Sequence, residues 1–409
     1  SGGAMILPIP IADSIHYVGV DDRETDLFEG LWQLPRGVSY NAYVIDDEKP
    51  ALIDTVKGVK FEAWLGKVRQ VLSRRDPAYV VVNHMEPDHS GSIKALLEVF
   101  PRTTIIGNKK TAEFLERFYG IRENVKVVSD GESLSLGKHK LSFHFMPMVH
   151  WPESMATYDS TSKVLFSNDA FGGFGALSGG IFDDEVDVAY FEDEILRYFS
   201  NIVGKYSAMV LKAIAALGKL DVKTIAPSHG PVWRKNPSWI VERYRRWSAH
   251  EGEDGVVLAY ASMYGNTERM MEAVASGLVG EDVARVRIHD VSRTHVSYLI
   301  RDAWRFRGLI LGSPTYDAGL FPPMRHFVSL LEHKKLSKRV LGLFGSFGWS
   351  GGGVSTLVEF ARRMNWEPAL PAIEVRCAPT DGELRLCVKL GEEVFRRVRG
   401  AAGASSESA

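Results

Sequence analysis

The hydrophobic residues after Gly255 fall into five short runs separated by amphipathic stretches. The runs are VVLAY at 256–260, VRIHD at 286–290, GLILG at 308–312, VLGLFG at 340–345 and IEVRC at 373–377. Strands buried on both faces read as continuous apolar runs, and helices between them supply the crossovers that parallel strands need. The pattern therefore predicts an α/β domain with a doubly wound, five-stranded parallel sheet.

The pattern before Ala249 is mixed. Strand-like runs alternate with helical stretches, and a strand-rich segment without long helices lies between 125 and 167. This order predicts a larger layered α/β domain with helices outside a two-sheet core. The strand-like runs are ALIDTV, YVVVN, TTIIG, VLFSN and TIAPS, and the helical stretches are 58–74, 90–99, 109–118, 188–203 and 206–217.

Two segments mark domain limits. The polar, glycine-rich AHEGEDG at 249–255 has the composition of a linker, and the small polar residues AAGASSESA at the end have that of a disordered tail. We therefore predict one domain at 5–250, a second at 251–400 and a disordered tail at 401–409.

Composition narrows the possible partners. The net charge is −2 and no long basic tract occurs, which disfavours nucleic acid. No run approaches 18 apolar residues, so we expect no membrane span. Cys377 and Cys387, the two cysteines, are too few for a disulfide framework and lack C-x-x-C spacing. They predict a reducing, cytoplasmic location.

Metal-ligand side chains cluster directly after the apolar strand at 79–82. His84, Glu86, Asp88 and His89 fall within six residues of NHMEPDHSGS, and such groups are costly to bury unpaired. Three further candidates also follow apolar runs, and loops at one end of several strands can converge. They are His150 in MVHWPES, Asp169 in FSNDAFGG and His229 in APSHGPV.

The number and type of these side chains indicate the kind of metal site. Four histidines and three carboxylates exceed the three or four ligands of a single tetrahedral zinc. Seven ligands suit a binuclear site with one bridging carboxylate. Imidazole combined with several hard carboxylates suits iron or manganese.

The spacing H-x-E-x-D-H, followed by His150, Asp169 and His229, resembles the metallo-β-lactamase superfamily. Glu86 stands where hydrolytic zinc members have a second histidine, and this departure is similar to the flavodiiron proteins, or A-type flavoproteins. The resemblance implies an αββα sandwich with two non-haem irons. It implies that His84, Glu86 and His150 bind one iron, that Asp88, His89 and His229 bind the other, and that Asp169 bridges them.

Three loops at carboxyl ends of the strands in the second domain favour a flavin. The loop ASMYGNTE after VVLAY resembles the flavodoxin phosphate loop T-x-T-G-x-T, in which backbone N–H groups and a helix N-terminus hold a phosphate. Neither G-K-[ST] nor G-x-G-x-x-G is present, so FMN fits better than a dinucleotide. The candidates are Ser262, Met263, Tyr264, Gly265, Asn266, Thr267, Ser313, Pro314, Thr315, Tyr316, Asp317, Ser346, Phe347, Gly348, Trp349, Ser350 and Gly351.

The order of the two domains resembles that of flavodiiron proteins over nearly the whole chain. The resemblance implies reduction of dioxygen to water, of nitric oxide to nitrous oxide, or both, with electrons passing through FMN to the irons. It also implies a head-to-tail homodimer, or a tetramer. The donor is external, namely a rubredoxin-like protein, a reduced deazaflavin or a nicotinamide-linked reductase. Tyr198 is a candidate catalytic hydroxyl, with simple packing as the alternative.

Three other functions remain open. A metallo-β-lactamase-fold hydrolase with an appended flavodoxin domain predicts zinc and activity without flavin. An FMN electron carrier predicts flavin, little iron and no gas turnover. A sensor predicts both cofactors with negligible turnover.

Overall fold

The structure is a computed structural model, which describes residues 7–177, 179–279 and 285–406, with side chains through residue 400. The chain divides into two compact units. One comprises the residues up to Phe199 together with Tyr206–Arg245, and the other comprises Ser200–Lys205 and the residues from Arg246 onward. Within the described residues, no helix is both long and apolar enough to cross a membrane.

The first unit contains sixteen described strands and seven α-helices. A short 3-10 turn at Gly58–Lys60 and a π-helical turn at Leu115–Tyr119 extend its helices, and the last of these helices continues past Arg245 into the second unit. The π-helical turn at Phe199–Val203 and the 3-10 turn at Gly204–Tyr206 fall mainly in Ser200–Lys205, which belongs to the second unit. The strands are β1 (Ile9–Ala12), β2 (Ile15–Tyr17), β3 (Val20–Asp22), β4 (Leu27–Phe28), β5 (Trp32–Gln33), β6 (Val38–Tyr40), β7 (Tyr43–Ile45), β8 (Ala51–Ile53), β9 (Tyr79–Val81), β10 (Thr104–Gly107), β11 (Val125–Val127), β12 (Ser133–Ser135), β13 (Lys140–Phe145), β14 (Met155–Asp159), β15 (Val164–Asn168) and β16 (Thr224–Pro227). The helices are α1 (Phe61–Leu72), α2 (Pro87–Ser90), α3 (Ile93–Val99), α4 (Lys109–Phe114), α5 (Val188–Tyr198), α6 (Ser207–Leu217) and α7 (Pro237–Ser248).

Two large sheets form the centre of this unit. One has the strand order β1-β2-β7-β8-β9-β10-β11 and the other β12-β13-β14-β15-β16. Backbone hydrogen bonds connect loops of the two sheets, from the Met155 N–H to the Asn83 carbonyl at 3.0 Å and from the Asn41 N–H to the Ser228 carbonyl at 2.8 Å. These bonds hold the strand ends that carry the candidate metal ligands at one edge.

The second unit has the predicted doubly wound sheet. Strands β17 (Glu253–Tyr260), β18 (Val286–Asp290), β19 (Phe306–Tyr316), β21 (Val340–Phe347) and β22 (Ile373–Arg376) pair in parallel in the order β18-β17-β19-β21-β22. This is the 2-1-3-4-5 order of flavodoxin-like sheets. A short β20 (Gly319–Leu320) pairs with the end of β19, and the helices are α8 (Asn266–Gly277), α9 (Val296–Arg305), α10 (Pro322–Lys334), α11 (Gly353–Met364) and α12 (Asp381–Ser406).

The structure differs from the sequence prediction at both ends of the second unit. Strand β17 begins at Glu253, inside the predicted linker at 249–255. Helix α12 runs to Ser406, so it enters the segment 401–409 for which composition predicts disorder, and 407–409 lie outside the described residues. The limits 5–250 and 251–400 stay predictions.

A buried ion pair links the start of β13 to the end of β14. His139 Nδ1 donates to Asp159 Oδ2 at 2.9 Å, and both side chains are inaccessible to solvent. The hydrogen bond to Asp159 raises the pKa of His139 despite burial. Burial by itself raises the pKa of Asp159, but the bond from His139 outweighs it and the net shift is downward.

We expect this pair to make the stability of the first unit depend on pH. The pKa of His139 is higher in the folded than in the unfolded state. The contribution of the ion pair to the free energy of unfolding is therefore complete below about pH 6.5 and is lost as the pH rises through the folded-state pKa. The difference in the free energy of unfolding between the native protein and His139→Asn, measured with urea, should therefore be larger at pH 6 than at pH 9, by about 1 kcal/mol. The exposed His326→Asn is the control, and an equal His139→Asn difference at both pH values would contradict the prediction.

Candidate metal centre and flavin cavity

Four strand ends of the first unit carry the candidate metal ligands to one place. The loop after β9 leads into α2, which begins at Pro87 and places Asp88 and His89 in its first turn. The loops after β13, β15 and β16 supply His150, Asp169 and His229. All seven predicted side chains are buried and fall into two groups, within each of which the ligand atoms lie within 4.8 Å of one another.

The first ligand group consists of His84, Glu86, His150 and Asp169. His150 Nε2 lies 3.0 Å from Glu86 Oε2 and 3.0 Å from Asp169 Oδ2. His84 Nε2 lies 3.3 Å from the same Glu86 oxygen and 3.4 Å from Asp169 Oδ2. Ligand atoms of four residues from three loops thus converge on one point.

The second ligand group consists of Asp88, His89 and His229. The Nε2 atoms of both histidines lie 3.2 Å from Asp88 Oδ2 and 3.1 Å from each other. They also lie 3.0 and 3.5 Å from Asp169 Oδ1. Asp169 therefore presents Oδ2 to the first group and Oδ1 to the second, which is the geometry of a bridging carboxylate.

The donor atoms fit two cations. Three buried carboxylate oxygens have no well-aligned hydrogen-bond donor among the described residues. They are both oxygens of Asp88 and Oδ2 of Asp169. His229 Nδ1–H donates to the Ser39 carbonyl at 2.7 Å, which leaves a lone pair on Nε2. Buried carboxylates without donors are costly unless they are paired with cations or coordinate metals. Imidazole with hard carboxylates suits iron.

The pKa shifts in the first ligand group also fit a metal site. Burial alone lowers the pKa of His150, but hydrogen bonds to Asp169 and Glu86 outweigh it and raise the pKa to about 9. Burial alone raises the pKa of Asp169, but the facing His89 and His84 hold that pKa well below its usual value. A metal ion that binds here must therefore displace the proton of His150, so metal binding releases protons.

Three residues that the sequence analysis missed orient these ligands. Glu153 is fully buried and accepts hydrogen bonds from His84 Nδ1 and the Met85 N–H, both at 2.7 Å. Ser228 Oγ donates to Asp169 Oδ1 at 2.7 Å, and the Ser39 carbonyl fixes the His229 ring. The only sequence signal for Glu153 is its position three residues after His150.

Tyr198 lies beside the second ligand group. Its ring centroid is 5.6 Å from that of His229 and 5.1 Å from that of Phe174. The side chain is inaccessible to solvent, burial raises its pKa well above the usual value, and the hydroxyl has no hydrogen-bond partner among the described residues. The ring is packed, as one interpretation of the sequence expects, and it is also at the site.

A cavity of about 320 Å³ lies at the carboxyl ends of β17, β19 and β21. Thirteen of the seventeen predicted flavin residues line it, together with Cys377, which the sequence analysis missed. Four predicted residues do not line the cavity, each for a local reason. Gly265 precedes α8 in the left-handed region, the Ser313 hydroxyl turns to the Pro314 carbonyl, the exposed Ser350 donates to the Gly351 carbonyl, and Gly351 packs against Glu374.

The cavity suits a phosphate held by neutral groups beside an exposed ring. Ser262 Oγ accepts from the N–H groups of Gly265 and Glu268, at 3.1 and 3.3 Å, which shapes the loop at the N-terminus of α8. Among the described residues, no lysine or arginine lines the cavity. Tyr264 and Trp349 at its mouth are 90% and 87% exposed, so their rings are free to cover a planar ligand.

Comparison with known proteins connects the two sites. A family model described as ODP family beta lactamase matches residues 38–230, and one described as Flavodoxin matches residues 258–391. Over 402 residues the chain is 35% identical to a protein named nitric oxide reductase from Moorella thermoacetica, covering 96% of this chain and all of the relative. The chain belongs to the flavodiiron protein family. This confirms the predicted fold class, with a β-lactamase-like domain followed by a flavodoxin domain.

Other flavodiiron proteins resemble the chain over almost its whole length. A protein from Vibrio vulnificus named anaerobic nitric oxide reductase flavorubredoxin is 33% identical, covering 95% of this chain and 80% of the relative. The solved rubredoxin oxygen:oxidoreductase of Desulfovibrio gigas has a TM-score of 0.90 and 29% identity, covering 96% of this chain and 99% of that one. The solved flavodiiron protein of Giardia intestinalis has a TM-score of 0.92 and 28% identity, covering 98% of both.

Removing the buried Glu153 carboxylate should weaken metal binding. The variant Glu153→Gln keeps the shape of the side chain but removes the charge that holds His84, and loss of such a partner lowers metal affinity by about 10–100-fold. Iron retained during titration with a chelator measures the effect. The exposed Glu116→Gln is the matched control, and equal retention by both variants would show that Glu153 does not support the metal.

The backbone conformation of Gly265 should affect the affinity for FMN. Gly265 has φ +91°, a conformation that costs an alanine about 1–2 kcal/mol, so Gly265→Ala should weaken FMN binding by about tenfold. Gly120→Ala is the matched control, because Gly120 also has a positive φ (+70°) and room for a Cβ but does not line the flavin cavity. Fluorescence titration of deflavinated protein with FMN measures both. The prediction is wrong if the two variants bind FMN equally well.

Proposed function

We propose that this chain is a flavodiiron oxidoreductase that reduces nitric oxide to nitrous oxide, dioxygen to water, or both. One observation carries the proposal: the two oxygens of the buried Asp169 face two separate sets of imidazole and carboxylate ligands. A flavodoxin domain in the same chain supplies the electron input. The names of the Moorella and Vibrio relatives favour nitric oxide, and that of the Desulfovibrio protein favours dioxygen.

The ligand assignment follows the two groups. His84, Glu86 and His150 would hold one iron, Asp169 would bridge, and Asp88, His89 and His229 would hold the other. The loops beginning at Ser262, Pro314 and Ser346 would hold FMN. When bound, the irons supply two adjacent electron-donating Lewis-acid centres, and FMN supplies one electron or two.

The residues around the irons position the reaction and keep it dry. Glu153 and the Ser39 carbonyl hold the His84 and His229 rings by their Nδ1–H groups, so that the Nε2 atoms point inward. The buried rings of Phe28 and Phe174 pack beside Tyr198 and limit the access of water.

The reaction consumes protons, so the centre needs a proton path. Two nitric oxide molecules, two electrons and two protons give nitrous oxide and water, whereas dioxygen needs four electrons and four protons to give two waters. Tyr198 holds an O–H group with no partner among the described residues, beside His229. We assign it the role of holding a proton or hydrogen bond near the bound gas.

Assembly and electron supply are part of the proposal. We propose a head-to-tail homodimer, alone or paired into a tetramer, in which the FMN of one protomer faces the irons of its partner. Exposed apolar side chains at both sites support this: Tyr264 and Trp349 at the flavin cavity, and Leu27 and Leu31 on the β4–β5 hairpin whose Phe28 packs near His229.

The electron donor is external in this proposal. A rubredoxin-like protein, a reduced deazaflavin or a nicotinamide-linked reductase would deliver the electrons, and the names of the Vibrio and Desulfovibrio relatives favour the first. Both cysteines of this chain are free. The same cysteine usage supports a cytoplasmic location.

Anaerobic stopped-flow spectroscopy tests the function. We expect about two irons and one FMN per chain, and rapid reoxidation of both centres when the fully reduced protein is mixed with nitric oxide or dioxygen. The faster gas identifies the substrate. Zinc in place of iron, or flavin that reoxidises only as fast as free reduced FMN, would overturn the proposal in favour of the hydrolase or the carrier.

Two variants separate the roles of the residues in that experiment. Asp169→Asn should lose iron and gas reactivity while FMN remains bound. Tyr198→Phe should retain both cofactors and react more slowly, by about 10²-fold if the hydroxyl transfers a proton. An unchanged rate and pH profile in Tyr198→Phe would leave Tyr198 as a packing residue.

A further inference from the structure

An open cleft of about 660 Å³ lies at the edge of the second unit's sheet that is opposite the flavin cavity. Gly252 lines it directly before β17, Arg307 lines it at the start of β19, and Val340 lines it as the first residue of β21. The flavin cavity lies at the other ends of the same three strands. The volume of the cleft falls within the roughly 300–1,000 Å³ of sites for small organic ligands.

The lining of the cleft has an excess of positive charge. Its charged side chains are those of Arg246, Arg307, Lys338 and Arg339 against those of Glu251 and Glu367. Arg246 Nε lies 3.3 Å from Glu251 Oε2, and Arg307 pairs at 2.7 Å with Asp254, which does not line the cleft. The other two cations of the lining have no carboxylate partner among the described residues.

Lys338 and Arg339 are these two cations, and both donate to backbone carbonyls. Arg339 is buried, and its guanidinium donates to carbonyls such as those of Ala303 and Trp304, both at 2.7 Å. Lys338 Nζ donates to the Ala249 carbonyl at 2.9 Å. An ammonium group carries three N–H donors, and this bond uses one of them. The exposed Lys338 can therefore bind an anion, whereas Arg339 contributes positive charge from the wall of the cleft.

Two lowered pKa values in the cleft reflect this positive charge. Burial, together with the neighbouring Arg339 and Lys338, lowers the pKa of His250 to about 4. Burial, together with the neighbouring Arg307, lowers the pKa of Arg339 to about 9. A cation lowers the pKa of a basic group beside it because it disfavours a second positive charge. The carboxylates of the cleft thus do not cancel the potential of its cations, and a bound anion would do so.

Apolar surface adjoins these cations in the lining. Trp366 is 6% exposed and packs edge-on against Phe360, with the ring centroids 5.8 Å apart. Trp366 and Val340 both line the cleft. An anion with an aromatic or aliphatic part can therefore place that part against them while its charged group stays near the exposed Lys338. Charge and lining together fit an organic anion better than a bare inorganic ion.

We propose that this cleft binds a small organic anion, with its phosphate or carboxylate group at Lys338 and Arg246 and its apolar part against Trp366. The site is separate from the flavin cavity, because β17 spans eight residues between the two edges of the sheet, about 25 Å at roughly 3.3 Å per residue. Binding there requires neither iron nor a gas and is therefore independent of the proposed function.

Isothermal titration calorimetry of the protein with both cofactors tests the binding. Phenyl phosphate and phthalate are the probes, since each carries an aromatic ring and two negative charges, on a phosphate in the first and on carboxylates in the second. We expect saturable binding of one molecule per chain at low ionic strength, and weaker binding as added salt screens the charges. The probe that binds more tightly identifies the preferred anionic group. If neither probe binds saturably, the proposal is wrong.

Variants that change one charge show whether the probe binds in the cleft. Lys338→Gln should weaken binding by up to about fivefold, the range for pairs of exposed charges. Glu367→Gln should strengthen binding by up to a similar factor, because it removes a negative charge from the lining. Lys335→Gln is the matched control, since Lys335 is also exposed and has φ +58°, against +59° at Lys338, but does not line the cleft.

The expected effects of the two lining variants have opposite signs, so partial unfolding cannot produce both. Equal weakening by Lys335→Gln and Lys338→Gln would show a general attraction to surface charge and would overturn the site. Unchanged binding in both lining variants would place the probe elsewhere, with the same consequence. A protein that binds the probe in the cleft but reacts with neither gas would retain this site and lose the proposed function.

Discussion

The shared carboxylate of Asp169 is the constraint on which the rest of the first unit depends. Its two oxygens face two groups of candidate imidazole and carboxylate ligands. The two groups therefore lie only about the width of one carboxylate apart, in a site closed to solvent. Three anionic side chains so close together repel one another unless cations lie between them. Loops after four strands must therefore end at the same edge, and hydrogen bonds such as Met155 N–H to the Asn83 carbonyl keep the two sheets in that alignment.

The two candidate cofactor sites differ in charge and in exposure to solvent. The metal centre is charged, buried and supported by oriented partners such as Glu153, so its geometry and its ion are mutually dependent. The flavin cavity is open and carries one charged side chain, Asp317, among its described lining residues, with Ser262 shaping a phosphate loop and Trp349 exposed at the mouth. This difference matches the chemistry required of each: fixed geometry for small substrates at the irons, and access for an electron donor at the flavin.

The ligands could be predicted from the sequence because they are locally dense and follow apolar strands. Four candidate metal ligands between His84 and His89 are unusual, whereas Glu153 is one glutamate among many and its burial becomes visible only in the fold. Cys377 reaches the flavin cavity because β22 pairs with β21, a long-range contact that no local pattern encodes. Helix α12 continues past residue 400 although its last residues are small and polar, the composition that predicted a disordered tail.

The turn from Asp169 to Gly173 is a short segment whose structural roles could not be predicted from the sequence. Asp169 faces both ligand groups, Phe171 lines a half-open apolar pocket formed with β15, β16, α6 and α7, and Gly172 packs against the His229 carbonyl. A Cβ on Gly173 would lie 2.6 Å from the Ile195 Cα, so helix α5 leaves no room for a side chain there. In the sequence these glycines indicate only a turn. In the fold they let the backbone pass between a candidate metal ligand and helix α5, and they allow the side chain of Phe171, two residues after Asp169, to pack away from the charged centre.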